Sequence, residues 1–236
     1  MTRSTFLQLA GSIVFTVGLS ACIREDVGPY QPGKQTYALT AFDQLSMGSA
    51  FAIAVQAGPA FSITAEGDRR NLDDLLVYTR NGTLFAEYRN NRSRSHQTSF
   101  VITMPALRAV SFSGASQSTI TGFTSTGDLG ITLTGASKCQ FTGEARQLVV
   151  DLSGASRLET GGWGAVLSAR LTGSSTLQAF PYPVAEAIVN ASGASNARVS
   201  VSTALTAEAS GASTIRYRGE PSVRQQVSGA SNVLRE

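Results

Sequence analysis

His96 is the only histidine in this 236-residue chain and lies in Arg92-Ser93-Arg94-Ser95-His96. It is the one side chain whose ordinary titration range suits general-base chemistry near neutral pH. A serine hydrolase would need that imidazole beside an orienting carboxylate and a nucleophile on a sharp strand-to-helix turn. The surrounding stretch has loop composition and no such turn, so a solvated loop is the expected setting. The most conspicuous serines belong to a Ser-Gly-Ala-Ser motif that recurs seven times with small variations, and seven equivalents point to geometry rather than to one nucleophile. Carboxylates that cleave glycans must converge at one place. Asp151, Glu159, Glu186 and Glu208 instead fall in different copies of the repeat and mostly in different columns of it. Asp151 and Arg170 share an outward column one copy apart, which predicts a surface ion pair; Glu159 and Gln178 share another. Asp68, Asp73 and Asp74 lack the spacing of a calcium loop. With one His and two Cys, a His-rich zinc site and a multi-disulfide scaffold are excluded. No catalytic residue, metal or cofactor is expected.

Rings that could stack on a sugar are the remaining candidates. Trp163 sits between Gly162 and Gly164, a turn where a large exposed ring is unusual unless it is used. Trp163 and Tyr182 are therefore the candidate ligand contacts, whereas Tyr217, in a partly apolar column, is expected in the core. The formal net charge is only +3 and the charged fraction 15%. Without a stripe of Lys and Arg interleaved with aromatics, nucleic-acid binding is not expected.

Cys22 invites a different chemistry. Residues 1–21 place Arg3 ahead of an apolar run from about Phe6 to Leu19, too short to span a bilayer comfortably. The run ends in Leu19-Ser20-Ala21-Cys22, which resembles the bacterial lipobox, and the resemblance implies diacylation of Cys22 and cleavage before it. The mature protein would then be anchored to a membrane without spanning it. Residues 22–36, with Gly28, Pro29, Pro32 and Gly33, read as a polar tether. Ile23, where similar lipoproteins retained at the inner membrane carry Asp, implies an outer-membrane destination.

Positioning falls to the repeat. Its glycines are Gly114, Gly135, Gly154, Gly173, Gly193, Gly211 and Gly229, a period near twenty that tolerates one or two extra residues. That is the mark of a solenoid whose turns absorb the insertions. Two, four and six positions before each glycine the residues are apolar, apart from the first and last copies; three before, none is. Period two means a β-strand with one buried face. The fourth position after glycine is mostly apolar again and includes Cys139, expected as a buried small hydrophobe. The last Ser of each motif predicts a hydroxyl ladder bonded between coils or to the backbone at the bend. The fold class is therefore all-β, a parallel β-helix of about seven or more coils over residues 110–236, right-handed by the general preference of parallel crossovers.

Residues 37–109 are less regular. Strands are expected at 51–55, 61–64, 75–79, 83–88 and 100–104, with a hairpin turn at Asn81-Gly82 and a helical turn within 68–76. This part suits the cap that a solenoid needs on its first coil. The order Phe42-Asp43-Gln44-Leu45, Phe51-Ala52-Ile53-Ala54-Val55, Ile63-Thr64-Ala65-Glu66, Asn81-Gly82-Thr83-Leu84, then Val101-Ile102-Thr103-Met104-Pro105 and Leu107, running into the Ser-Gly-Ala-Ser copies, resembles the head GIN-domain family. The resemblance implies an exported β-helical protein, often a lipoprotein, of a kind described as an autotransporter adhesin. It supplies no catalytic residues.

The expected role is that of a non-enzymatic, lipid-anchored envelope module whose regular polar faces bind a glycan or a protein surface. Alternatives are a polysaccharide-active enzyme, which needs converging carboxylates, and a structural protein assembling end to end, since the chain stops five residues after the last motif and leaves the final edge uncovered.

Overall fold

Strands that are apolar at every second position must lay one face on a core, and strands repeating every twenty residues do so by winding into stacked coils. The computed structural model describes residues 28–236; the expected signal peptide and Cys22 lie outside them. The first part comprises β1 (Pro32–Tyr37), β2 (Gln44–Met47), β3 (Ala52–Ala57), β4 (Ser62–Asp68), a single helical turn α1 (Arg69–Leu72), β5 (Leu75–Arg80), β6 (Thr83–Tyr88), β7 (Ser99–Met104) and β8 (Ala109–Phe112). Five long strands follow: β9 (Gln117–Leu133), β10 (Lys138–Leu152), β11 (Arg157–Leu171), β12 (Thr176–Ala191) and β13 (Asn196–Ala209). The last are β14 (Thr214–Arg218), β15 (Ser222–Val227) and β16 (Asn232–Arg235).

Each long strand bends midway, so the coils present two faces. The front face runs β1, β4, β7, β3, the first halves of β9 to β13, β14 and β16. The back face runs β5, β6, β2, β8, the second halves of the same strands, and β15. From β3 and β8 onward all pairings are parallel. The protein is thus a parallel β-solenoid, as the repeat predicts.

At the N-terminal end the chain folds back on itself. The coil made by β2 and β3 is sandwiched between β6–β7 and β8–β9, both later in sequence. Antiparallel pairings of β4 with β7, β1 with β4 and β5 with β6 close this end. Asn81 and Gly82, at φ 51° and 75°, make the predicted β5–β6 turn. One expectation is corrected: β1 begins at Pro32, so residues 32–36 are an edge strand of the cap rather than tether. Gly33 lets β1 lie close on α1, where a Cβ would meet Leu72 Cδ1 at 2.9 Å.

The motif works as a backbone device. Each motif glycine has φ between 71° and 78°, a region open to glycine. From Gly135 onward each also sits so close to the coil before it that an added Cβ would lie 2.4–2.7 Å from the preceding glycine's carbonyl oxygen. That oxygen accepts a 2.7–2.8 Å bond from the amide following the next glycine, as in Ala155 N–H to Gly135. The motif's last serine is buried in every copy. In Ser116, Ser137, Ser156, Ser175, Ser195 and Ser213 the hydroxyl donates to the carbonyl three residues back, at 2.6–2.9 Å. The main bond is therefore to the bend, with longer contacts between coils at Ser195 and Ser213.

Candidate ligand-binding surface

Opposite the motif corner, the long strands turn a second time, and here register shifts absorb the variable coil length. In β11 this corner is Gly161-Gly162-Trp163-Gly164. A Cβ on Gly162 would lie 1.9 Å from the Gly143 carbonyl oxygen, and one on Gly164 would meet the Tyr182 hydroxyl at 2.6 Å. With the backbone drawn this close and the interior taken by Tyr182, the indole has no room inside. Trp163 is 58% exposed.

Tyr182 is a correction. Read as a ligand contact, it is 0% exposed and belongs to the core. Its ring centroid lies 6.1 Å from that of Phe141, two coils back, and its hydroxyl donates to the Ala145 carbonyl at 3.5 Å. Gly164, where a Cβ would also meet Tyr182 Cε1 at 3.0 Å, leaves the space the ring fills. Of the two ring candidates only Trp163 reaches solvent.

Beside Trp163 the later coils lay down small or short residues: Pro183 and Ala185, then Ser200 and Ser202, then Gly219. They floor an open depression of about 530 Å³, with Glu220 at its far side. The Glu220 carboxylate accepts from Arg235 at 2.7 Å. An aromatic wall, a flat floor with serine hydroxyls and one carboxylate are what a sugar ring needs for stacking and hydrogen bonding.

The back face carries a second depression of about 340 Å³ along Arg170, Asn190, Glu208 and Gln226, flanked by Thr172 and Ser192. Asn190 Oδ1 is buried there without a hydrogen-bond partner. Asp151 and Arg170 pair strand to strand as expected, yet no ion pair forms between them. Arg157 bonds Glu159 within its own strand instead, and Arg146 bonds Asp128 one coil away.

The remaining sequence candidates are structural in their settings. Cys139 is 2% exposed, and burial pushes its thiol up to about 12, which leaves it protonated and inert. His96 packs edge-on against Tyr30 with centroids 4.8 Å apart, and its carbonyl accepts from Asn71 Nδ2 at 3.0 Å. Its loop is irregular and exposed at Asn90 to Ser93, Ser95 and Gln97, as expected, and is tied down at Arg94. Arg94 reaches back to the buried Asp74 and lies 3.4 Å over the Tyr88 ring, and Asn90 donates to Asp74 at 2.6 Å. Asp68 caps α1 and accepts from Arg70 at 2.9 and 2.7 Å. Those bonds, with backbone amides of Arg70 and Gln31, hold its carboxyl well below the usual carboxylate range against the opposing effect of burial. Among the described residues no three His, Cys, Asp or Glu side chains gather as a metal site would require, and no helix is long and apolar enough to cross a membrane.

Comparison with solved structures reveals the same architecture. The structure of a "putative adhesin" from Bacteroides fragilis superposes with a TM-score of 0.80 over 87% of this chain and 96% of its own, at 18% identity. A structure from Parabacteroides distasonis titled a "putative lipid binding protein" gives 0.71 over 87% and 96%, at 15% identity. A second P. distasonis structure, titled a "putative adhesin", gives 0.72 over 89% and 98%, at 14%. At these identities the likeness is one of fold. No curated protein matches the sequence. The family described as "putative auto-transporter adhesin, head GIN domain" matches residues 41–221, and the chain belongs to it.

Proposed function

We propose that this protein is an exported, adhesin-like module that holds an extended ligand, a glycan or a protein surface, and does not transform it. The observation that carries the reading is the Trp163 ledge: an indole forced outward by its own glycines, beside a flat strip of small residues crossing four coils. Four coils span about 14 Å at the strand spacing, which suits several units of a polymer better than one small molecule. Membership of a family described as adhesins supports an exported or surface protein. The lipobox-like Leu19-Ser20-Ala21-Cys22 supports anchoring through acylated Cys22, and Ile23 supports the outer membrane. The scattered carboxylates support a non-enzymatic role.

Two experiments test this. On a panel of immobilised envelope and host polysaccharides, Trp163→Ala should lose most of the retention shown by the parent with its fold unchanged; equal retention would remove the ledge from the site. Cys22→Ser should move the protein from the membrane fraction to the soluble one, and a variant that stays with membranes would contradict the anchor.

A further inference from the structure

The front face of the later coils carries a cation that nothing among the described residues satisfies. One outward column runs Gln140, Glu159, Gln178, Arg198 and Arg216, each paired with the next across parallel strands. Glu159 is already bonded to Arg157 at 2.7 Å. Glu236 lies 3.9 Å from Arg216 and 3.8 Å from Arg218. The Arg218 guanidinium also covers the Phe180 ring at 4.1 Å. The Arg198 guanidinium, only partly exposed, has no ion pair and no hydrogen bond among the described residues. The Lys138 ammonium, exposed at the other end of the face, has no partner among the described residues either.

Shape and charge coincide there. Gly161, paired with Thr142, brings no side chain, and the gap opens a groove of about 560 Å³ walled by Gln140, Gln178, Phe180 and Arg198. A guanidinium drawn partly out of water without an anion is unfavourable, and its planar fork matches a carboxylate in a two-bond geometry. Gln140 and Gln178, on coils to one side of Arg198, offer amides that both donate to and accept from hydroxyls. From Gln140 to Arg216 the column advances four coils, about 19 Å along the rod axis.

We infer that this groove binds a polysaccharide bearing carboxylates, a polyuronate, lying along the axis with one carboxylate on Arg198. The inference rests on the proposed binding role and names a ligand class and a second surface for it. A nucleic acid fits less well, because of the two aromatic rings lining the groove Phe141 is buried and Phe180 is covered by Arg218 rather than open for a base.

The test uses polygalacturonate as probe, with neutral dextran, dextran sulfate and duplex DNA alongside, against the parent, Arg198→Ala and Glu159→Gln. The parent should bind polygalacturonate in preference to the other three. Arg198→Ala should weaken it about tenfold with an unchanged thermal midpoint, the loss expected for one charge-assisted pair. Glu159→Gln should strengthen it, because a competing carboxylate is removed; a merely structural role for this column would not produce that gain. Binding should weaken between about 0.1 M and about 1 M salt, as the screening length shortens from about 10 Å to about 3 Å. Equal binding of polygalacturonate, dextran sulfate and DNA, or no effect of Arg198→Ala, would overturn the inference. Retention of neutral glycans alone would overturn it while leaving the binding role intact, and retention of no polysaccharide or protein surface would remove both.

Discussion

The N-terminal cap and the repeated coils solve the same problem, a closed β core, with opposite materials. In the cap the contacts are large and directional. Phe51 meets Tyr88 and Phe100 edge-on at 5.0 and 4.9 Å, Phe42 meets Phe61 at 4.8 Å, and Asp68 and Asp74 take Arg70 and Arg94. In the coils the interior is mostly Leu, Val, Ile and Ala, and the specific contacts are made by backbone: glycine against the preceding carbonyl, serine against its own bend. A coil has an equivalent neighbour that templates every position, so small identical parts suffice. The cap has no equivalent beyond it and must fix each contact with side chains.

If that contrast is right, the largest loss should come where the coils break their own rule. Tyr182→Ala removes a large buried side chain that reaches two coils back to Ala145 and should cost about 3–5 kcal/mol, read as a lower denaturant midpoint. Next, Gly154→Ala places a Cβ 2.4 Å from the Gly135 oxygen at φ 73°, and should cost about 3 kcal/mol. Gly130→Ala, in ordinary contact with Ala109 at 3.6 Å, should change little, so similar losses at both sites would break the close-approach argument. Ser156→Ala strands the partly buried Ser153 carbonyl and should cost about 1–2 kcal/mol. In the cap, Asp68→Asn should be destabilising at neutral pH. Because the folded carboxyl is held below its unfolded range near 4, its contribution is complete above that range and is lost as pH falls toward the depressed folded value. The gap between parent and variant should therefore close in acid. The smallest effect is on stability at Trp163→Ala, near zero, in contrast to its effect on binding.

The same contrast explains what was legible. The coils were, because period-two columns tied to a glycine every twenty residues admit few other windings; even Cys139 falls where its column puts it. The order of strands in the cap was not, because β2 pairing between β6 and β8 joins segments tens of residues apart without a repeat to announce it. Arg94 and Asp74 are twenty positions apart and met for the same reason unseen. Tyr182 read as a ring that could stack on a sugar, because nothing within its own coil announces the core volume it fills. The available signal was Gly164 one coil earlier, which leaves space that the Tyr182 ring fills. Gly162 and Gly164 also push Trp163 outward, and that half of the pattern was readable.

That the coils hold a polymer without cutting it is tested most directly by incubating residues 23–236 with the polysaccharides they retain and measuring the chain length of the recovered glycan. Retention with chains of unchanged length is the predicted result. Retention with shortened chains would contradict it and place a carboxylate pair at work on one of these faces.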